Sequence, residues 1–535
     1  MKLSELLSVI SQYEVSGIIS KDRTLAHESD CHKDSSVKQI FDPDKLSTIE
    51  INSIHYRAQD VRPKGLFVAI SGHVSDGHDF IDTAILNGAS AVVTQKHVDH
   101  NLVAIVVSDT RKALAKLSAR FFNNPSEKLF IVGVTGTNGK TTITYLLESI
   151  LNKAGYNTGV IGTINYRFAG KVFKSKVTTP ESLDLQQILA QMCKNGVTHV
   201  VMEVSSHAIA LNRIDNCWMD LGVFTNLTHD HLDYHKNMDE YWACKKKFFT
   251  GNLNHGPKKK HVTGVINCLH KHGQNLLEVL PFNGISIGNS RDKMMVYSEN
   301  IQFSLSGISG GITAMNMKLN FFSSLVGKHN LENILCVAGV GAALKLSKDV
   351  IKTGIEDVSF IPGRLEPVPN DCNRFVFVDY AHTPDALENV LVSIRAITDK
   401  RLICVFGCGG GRDKDKRSMM GELAVRICDL VVITSDNPRD EKPMEIISQI
   451  LTGVRKNSAK KYVPADLKKG FTKKGYIVEP DRKKAIELGI SASMTGDVVV
   501  IAGKGHEDYQ IIGDDTLFFD DRCEAEKALQ SPALL

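Results

Sequence analysis

Apolar and polar positions along this chain follow one repeating unit: a short β-branched run, a turn of small or charged residues, then a stretch with helical spacing. The unit is plainest at residues 130–147. Residues 130–134 read as a strand, Gly136, Thr137, Asn138 and Gly139 as a turn, and Lys140, Thr141 and Thr142 as the start of a helix with apolar positions through Leu146 and Leu147. Glycines let backbone N–H groups crowd onto a phosphate, the helix N-terminus adds positive potential, Lys140 supplies a point charge, and the Thr141 hydroxyl can ligate Mg2+. The strict P-loop spacing wants a glycine where Val134 stands, and Gly133 comes one step earlier, so this is a variant triphosphate loop.

The same unit predicts the rest of the architecture. In MKLSELLSVI, Ser4, Glu5 and Ser8 interrupt the apolar residues, which predicts an amphipathic helix rather than a signal peptide. After a polar, irregular stretch at 29–45, strands at 66–70, 91–94 and 104–107 predict a small α/β domain ending near Ser108, before a helix over 111–122. A strand at 197–202 runs into Glu203, Ser205, Ser206 and His207, and one at 221–225 into Asn226, Asp230, His231, Asp233 and His235. Ligands of open α/β sheets sit beyond the carboxyl ends of the strands, so these two ends and the phosphate loop predict one crevice. Near Pro362 the pattern restarts. Strands at 375–378, 402–406, 430–434 and 498–502 run into DYAHTPDAL, GCGGGRDKDKR, SDNPRDEKP and GKGHED, which predicts a second crevice. Thr383 and Pro384 fit an N-cap and first helical position, with Asp385 in the favourable first turn. The expectation is an α/β protein of three domains: a small N-terminal α/β domain (1–108), a central P-loop ATPase-like parallel sheet (109–361) and a Rossmann-like C-terminal domain (362–535).

Composition narrows the function classes. A length of 535 residues suits three domains with cores of their own, and a net charge of +4 implies no polyanionic partner. Eleven cysteines without a CxxC pair fit a reducing cytosol better than a disulfide framework or zinc site. No apolar run approaches the roughly 20 residues of a membrane span, so a soluble cytoplasmic protein is expected. The lysine-rich pieces 258–260 and 455–474 read as solvated loops, Tyr462 and Phe471 being too sparse for a base-stacking platform.

Glu203 and His231 each read alone as hydrogen-bonded polar residues, but their matched positions at strand ends beside a phosphate loop point to Mg2+ ligands. In DEYWACKKKFF, helical spacing puts Lys245 on a face with Tyr241, Phe248 and Phe249, while Lys246 shares a competing stripe with Trp242 and Phe249. Spacing alone leaves both open, along with three exposed lysines. A poorly solvated lysine has a lowered pKa and reacts as a neutral amine.

The ordered set GVTGTNGKTT, MEVSSHAIALNR, TNLTHDHLDYH, YWACK, GKHNLEN, PGRLE, DYAHTPDALENV, GCGGGRD, DNPR and AGKGHEDYQ resembles the Mur ligases, the ATP-dependent amino-acid-adding enzymes of peptidoglycan synthesis. Among them the chain is most similar to the member that adds the third residue, from about Ile54 onward. The resemblance implies that Gly136 through Thr142 hold ATP and that the first domain holds the uridine end of a nucleotide substrate. Thr178, Thr179, Ser205 and Arg213 would contact the muramoyl peptide, and Asn330, Asn333, Arg364, Asp379 and His382 would surround the adenine and phosphates. It further implies that Lys245 is carbamylated and joins Thr141, Glu203 and His231 around Mg2+, and that Arg412, Asp436, Asn437, Pro438, Arg439, Gly503 and Glu507 grip the incoming amino acid. Arg439 offers a planar fork suited to a carboxylate, and Asp436 and Glu507 suit an ammonium, which favours meso-diaminopimelate over L-lysine.

The implied substrates are ATP, UDP-N-acetylmuramoyl-L-alanyl-D-glutamate and meso-2,6-diaminopimelate, joined through an acyl phosphate by a monomer with no nucleic-acid partner. Rival readings are the same reaction with L-lysine, a folylpolyglutamate synthase-like ligase, and a P-loop ATPase that does not ligate. The chain departs from the family at His55, Tyr56 and Arg57, where Asp-Ser-Arg is usual, at Leu211 for a frequent glutamine and at Val177 for a frequent asparagine.

Overall fold

A computed structural model describes residues 1–16, 46–72, 75–98, 102–230, 234–289, 294–467 and 470–531. The polar stretch 29–45, His231 and Asp233 lie outside the described residues. The described residues form three sheets of five, eleven and seven strands, with a separate two-stranded hairpin near the C-terminus.

The first sheet runs Glu14–Ser16, Val103–Val106, Ala89–Thr94, Gly65–Val68, Ser53–His55, parallel except for Glu14–Ser16 at one edge. The amphipathic pattern at the N-terminus becomes the helix Leu3–Leu7, whose Leu3, Leu6 and Leu7 are buried. Asp109 caps the helix Thr110–Phe121 by accepting from Arg111 N and Lys112 N at 3.0 Å each. Ala113, Leu114 and Leu117 of that helix pack with Leu66, Val93 and Ile105, so its apolar face closes the first sheet.

The central sheet is parallel through seven neighbouring strands, Thr158–Ile161, His199–Glu203, Phe130–Thr135, Leu221–Phe224, Thr263–Asn267, Asn283–Gly288 and Val296–Ser304. This parallel block is the expected sheet, and short antiparallel extensions are added at both of its edges. Asn165–Phe168 and Lys171–Lys174 add antiparallel pairings at one edge, and Gly307–Ala314 and Met317–Ser323 add them at the other. Met317–Ser323 alternates buried and solvent-facing positions, the pattern of a sheet covered on one face. Successive side chains of Phe130–Thr135 feed opposite cores. Val132 and Val134 meet Ile143, Leu146 and Ile150 of the helix Lys140–Lys153, while Ile131 faces Leu185, Leu189 and Phe248. Gly133, the glycine one step out of the P-loop pattern, is a packing residue: a Cβ there would stand 2.5 Å from Met219 Sδ and 2.8 Å from the Phe248 ring.

The third sheet runs Glu366–Pro367, Phe375–Asp379, Val498–Ala502, Leu402–Phe406, Leu430–Ile433, Gly475–Val478, Lys460–Lys461, parallel apart from the first strand. Thr383 accepts from Ala386 N and Pro384 opens the helix Pro384–Arg395, as expected. Behind the sheet mouth, Arg482 and Asp521 form a fully buried bidentate pair, Nε–Oδ1 and Nη2–Oδ2 at 2.7 Å each. Arg482 also donates to the carbonyls of Ser435 and Ala502, at 3.1 and 3.0 Å, tying together two loops of the second crevice. Arg482→Met strands the Asp521 carboxylate and is expected to destabilise this unit by about 3–5 kcal/mol, read by denaturant unfolding.

Both lysine-rich pieces keep most of their described basic residues exposed, as expected, but each also contributes groups to the interior. Lys258 is half-buried, paired with Asp220 at 2.7 Å and bonded to the Leu129 carbonyl. Tyr462 and Phe471 are core residues, with Arg401 stacked on the Phe471 ring at 4.4 Å, because their segment closes the sheet edge. Among the described residues no helix is long and apolar enough to cross a membrane.

Candidate active site

The Phe130–Thr135 strand ends in a loop that only glycine could make at two points. Gly136 has φ 146° and a Cβ there would fall 1.8 Å from Thr225 Oγ1; Gly139 has φ 87° and a Cβ would fall 2.2 Å from Asn333 Oδ1. The loop is pinned from the neighbouring strand end, with Asn138 N donating to Asn226 Oδ1 at 2.9 Å and Thr225 Oγ1 to the Asn138 carbonyl at 2.6 Å. Lys140 opens the helix and folds back, its Nζ donating to the carbonyls of Gly136 and Thr137 at 3.0 and 2.8 Å. Thr142 is buried in the same first turn.

Lys245, not Lys246, turns inward. It is 1% exposed, its Nζ lies 4.6 Å from the Tyr241 ring centroid, and it donates to the Gly136 carbonyl at 2.8 Å. Two lysine ammoniums therefore converge on one loop carbonyl. Burial, then the neighbouring Lys140, pushes the Lys245 pKa far below that of a free lysine, and burial lowers Lys140 likewise. The helix Met238–Lys247 passes into a π-helical turn, Phe248–Asn252, which buries Phe248 and Phe249 beside it. Tyr241 Oη meets Thr137 Oγ1 at 3.1 Å, locking helix to loop.

Glu203 ends the adjacent strand, 1% exposed, with three neutral donors: Thr141 Oγ1 at 3.0 Å, and Thr163 N and Oγ1 at 2.9 Å each. A buried carboxylate held by hydroxyls and an amide, opposite Thr141 and beside two lysines, suits a divalent cation bridging phosphates. His231 lies outside the described residues. Sequence reasoning missed Thr163, because the strand Thr158–Ile161 that carries it was not recognised; it supplies a fourth strand end to the crevice. Thr163 Oγ1 also receives or gives a bond at 3.0 Å with Thr178 Oγ1. Thr179 Oγ1 donates to the Glu203 carbonyl at 2.8 Å and accepts from Ser205 N at 3.0 Å. Arg213 donates to the Thr179 carbonyl at 3.2 Å and pairs with Glu181 at 3.3 Å, where Arg111 also arrives at 3.0 Å. Thr178, Thr179, Ser205 and Arg213 thus lie in one patch beside Glu203.

On the far side of the loop, Asn330 and Asn333 are buried and bonded to each other at 3.1 Å, under Gly139. Arg364 reaches from the third unit to Thr141 Oγ1 at 3.4 Å, and Asn138 Nδ2 reaches Asp385 Oδ2 at 3.1 Å. Asp379 is held by Leu365 N and Ala381 N at 2.7 and 2.8 Å, and burial raises its pKa. His382 Nδ1 donates to the Tyr380 carbonyl at 2.7 Å, and burial, with Lys416 nearby, disfavours its charged form. Arg364 stacks on Tyr380 at 4.7 Å and Tyr380 lies 4.9 Å from the His506 ring, so packed side chains run from the phosphate loop to the second crevice.

That crevice brings together the residues expected to grip an amino acid. Arg439 adopts φ 50°, rare for a non-glycine residue, because its N–H donates to the Ile511 carbonyl at 3.1 Å and its carbonyl accepts from Gly513 N at 2.9 Å. This aims Nη1 at the Gly410 carbonyl, 2.8 Å away. Gly410 N donates to the Asn437 carbonyl at 2.9 Å, and a Cβ on Gly410 would fall 1.9 Å from the Pro438 carbonyl oxygen. Arg412 is exposed at the mouth. Opposite stand Asp436, Asn437 and Glu507, with Asn437 Nδ2 donating to Glu507 Oε2 at 2.8 Å. Gly503, φ 119°, leaves only 3.1 Å between a would-be Cβ and Asp436 Oδ2.

The substituted Tyr56 donates to Asp184 Oδ2 at 2.7 Å, linking the first sheet to the helix Ser182–Lys194, with Arg57 5.3 Å from its ring. Val177 is exposed and Leu211 closes the helix Ser206–Ala210.

Family models match most of the chain: Mur ligase family, catalytic domain, at residues 50–122; Mur ligase middle domain at 134–341; and Mur ligase, glutamate ligase domain, at 363–505. The UDP-N-acetylmuramoyl-L-alanyl-D-glutamate--2,6-diaminopimelate ligase of Geobacter sulfurreducens is 44% identical over 486 residues, covering 90% of this chain and 95% of the relative. A solved structure of a ligase of that name has a TM-score of 0.64 at 28% identity, covering 90% of this chain and 96% of the other. The Mycobacterium tuberculosis folylpolyglutamate synthase complexed with ADP and AMPPCP shares the fold at a TM-score of 0.57 and 15% identity, over 73% of this chain and 92% of its own.

Proposed function

This chain belongs to the Mur ligase family, and on that footing we propose that it joins meso-2,6-diaminopimelate to the D-glutamate of UDP-N-acetylmuramoyl-L-alanyl-D-glutamate at the expense of ATP, in peptidoglycan biosynthesis. The observation that carries this reading is the pairing of a triphosphate loop with a pocket that has an arginine fork on one wall and two carboxylates on the other. That second pocket suits the distal end of diaminopimelate, which bears both a carboxylate and an ammonium. L-Lysine would leave the Arg439 fork, bonded to the Gly410 carbonyl, without a carboxylate to hold, which opposes its binding.

The chemistry follows from the positions of the side chains. Glycine-loop N–H groups and Lys140 would hold the ATP phosphates, with Asn330, Asn333, Arg364, Asp379 and His382 around the adenine and phosphates. Thr178, Thr179, Ser205 and Arg213 set the peptide carboxylate beside Glu203, where it attacks the γ-phosphate in line. Mg2+ held by Thr141, Glu203, His231 and carbamylated Lys245 would neutralise the charge developing on the transferred phosphoryl group. The amine of diaminopimelate, presented through Arg412, Asp436, Asn437, Pro438, Arg439, Gly503 and Glu507, then attacks the acyl phosphate and expels phosphate. Arg364 and Asp385, reaching from the third unit onto the loop, exclude water that would hydrolyse the intermediate.

We place the working units at 1–108, 109–361 and 362–535, in a cytoplasmic monomer whose nucleotide substrates are cytosolic. Phosphate release measured with ATP and the nucleotide peptide, with and without diaminopimelate, tests the reading. Release that requires diaminopimelate supports it; release that ignores the amino acid, or answers better to L-glutamate, overturns it.

A further inference from the structure

Lys504 is 0% exposed, yet its ammonium sits among the groups assigned to the substrate's ammonium. Its Nζ donates to Asn437 Oδ1 at 3.1 Å and Glu507 Oε2 at 3.2 Å, lies 3.8 Å from Asp436 Oδ1, and stands 5.4 Å from the Tyr509 ring. No role in the mechanism above uses it. Nothing about a packing lysine requires all three of its polar partners to be the acidic wall of a ligand pocket.

We propose that Lys504 is a positioning residue that sets which amino acid the second crevice accepts, bracing Asp436, Asn437 and Glu507 as one wall and giving the pocket a net positive charge. This rests on the ligase reading above and names the specificity device within it. With Lys504 against Asp436 and Glu507, Arg439 nearby and Arg412 exposed at the mouth, three basic groups serve a crevice that holds two acidic ones. Such a pocket favours an amino acid whose distal end carries a carboxylate with its ammonium, and disfavours a bare ammonium. Lys504 also separates the two carboxylates from each other's charge. Burial raises the Glu507 pKa, Asp436 raises it further, and Lys504 opposes both.

Without Lys504, Glu507 keeps the burial and the Asp436 charge that raise its pKa and loses the cation that lowers it, which favours its neutral form over the charged one an ammonium needs. The remaining groups facing the pair are Arg439 and Tyr509 beside it, Tyr380 and Cys408 from the neighbouring strand ends, and Arg482, already neutralised by Asp521. None of these replaces a cation in bonding distance of both Asn437 and Glu507.

The test compares wild type with Lys504→Met, which removes charge and donor, and Lys504→Gln, which keeps a donor and so guards against misfolding. Steady-state phosphate release is measured with ATP, nucleotide peptide and either diaminopimelate or L-lysine, from pH 6.5 to 8.5. Both variants are expected to raise KM for diaminopimelate by about ten- to a hundredfold, the loss of a charge-assisted hydrogen bond, with KM for ATP within about twofold of wild type. The preference for diaminopimelate over L-lysine is expected to shrink, and the KM penalty relative to wild type to ease as pH rises. A wild-type preference and a pH-independent penalty in Lys504→Gln overturn the inference, as does a variant whose ATP and diaminopimelate KM values rise together. Wild-type phosphate release that ignores diaminopimelate would instead sink the ligase reading itself.

Discussion

Replacing Lys245 with alanine is expected to lower kcat by about a thousandfold, the scale of removing a preorganised group that stabilises transition-state charge, and added formate or acetate is expected to restore part of it. The basis is the crowding of two amines on one carbonyl. Lys245 Nζ and Lys140 Nζ both donate to the Gly136 oxygen, at 2.8 and 3.0 Å, in a place where burial disfavours either charge. A neutral amine there can add to CO2 and lose one proton, which turns a repelling cation into a carbamate able to bind a divalent ion alongside Glu203. Lys246, half-buried on the neighbouring stripe, has no such surroundings, and Lys246→Ala is expected to change kcat by less than about twofold. Full activity in Lys245→Ala, or activity that carboxylates do not restore, would rule out the carbamate.

Arg439→Lys is expected to cut the preference for diaminopimelate over L-lysine by about a hundredfold, because a point charge replaces a fork that can hold a carboxylate through two parallel bonds. The left-handed backbone at Arg439, fastened between Ile511 and Gly513, aims the guanidinium at the Gly410 carbonyl and would aim a lysine no better. Competition between the two amino acids in one reaction, with products separated by mass, reads the ratio directly. An unchanged ratio would mean that the carboxylate is gripped elsewhere.

Much of this was legible in the residues alone, where local pattern and chemistry coincide. The strands at 402–406 and 498–502 fall where the apolar runs put them, and Thr383 caps its helix as its side chain and the following proline require. Glu203 was legible from its place at a strand end beside the glycine loop. Thr163 was not, since its short strand, TGVI, is too weak a pattern to mark a strand end. Spacing left Lys245 and Lys246 both open, and the structure turns Lys245 inward over Tyr241 within one α-helix. Tyr462 and Phe471 look like isolated aromatics among lysines until the edge strand Lys460–Lys461 folds them inward. Lys504 was hidden for a different reason: a buried lysine is exceptional, and only its two acceptors and the nearby Asp436 carboxylate show what holds it there.

Oxygen transfer decides whether ATP cleavage and amide formation pass through one shared carboxyl. With both oxygens of the peptide's acceptor carboxylate labelled with 18O, turnover with ATP and diaminopimelate is expected to deliver one labelled oxygen into each phosphate released, as the C–O bond of the acyl phosphate breaks. Unlabelled phosphate, with both heavy oxygens still on the peptide, would contradict the mechanism at its first step.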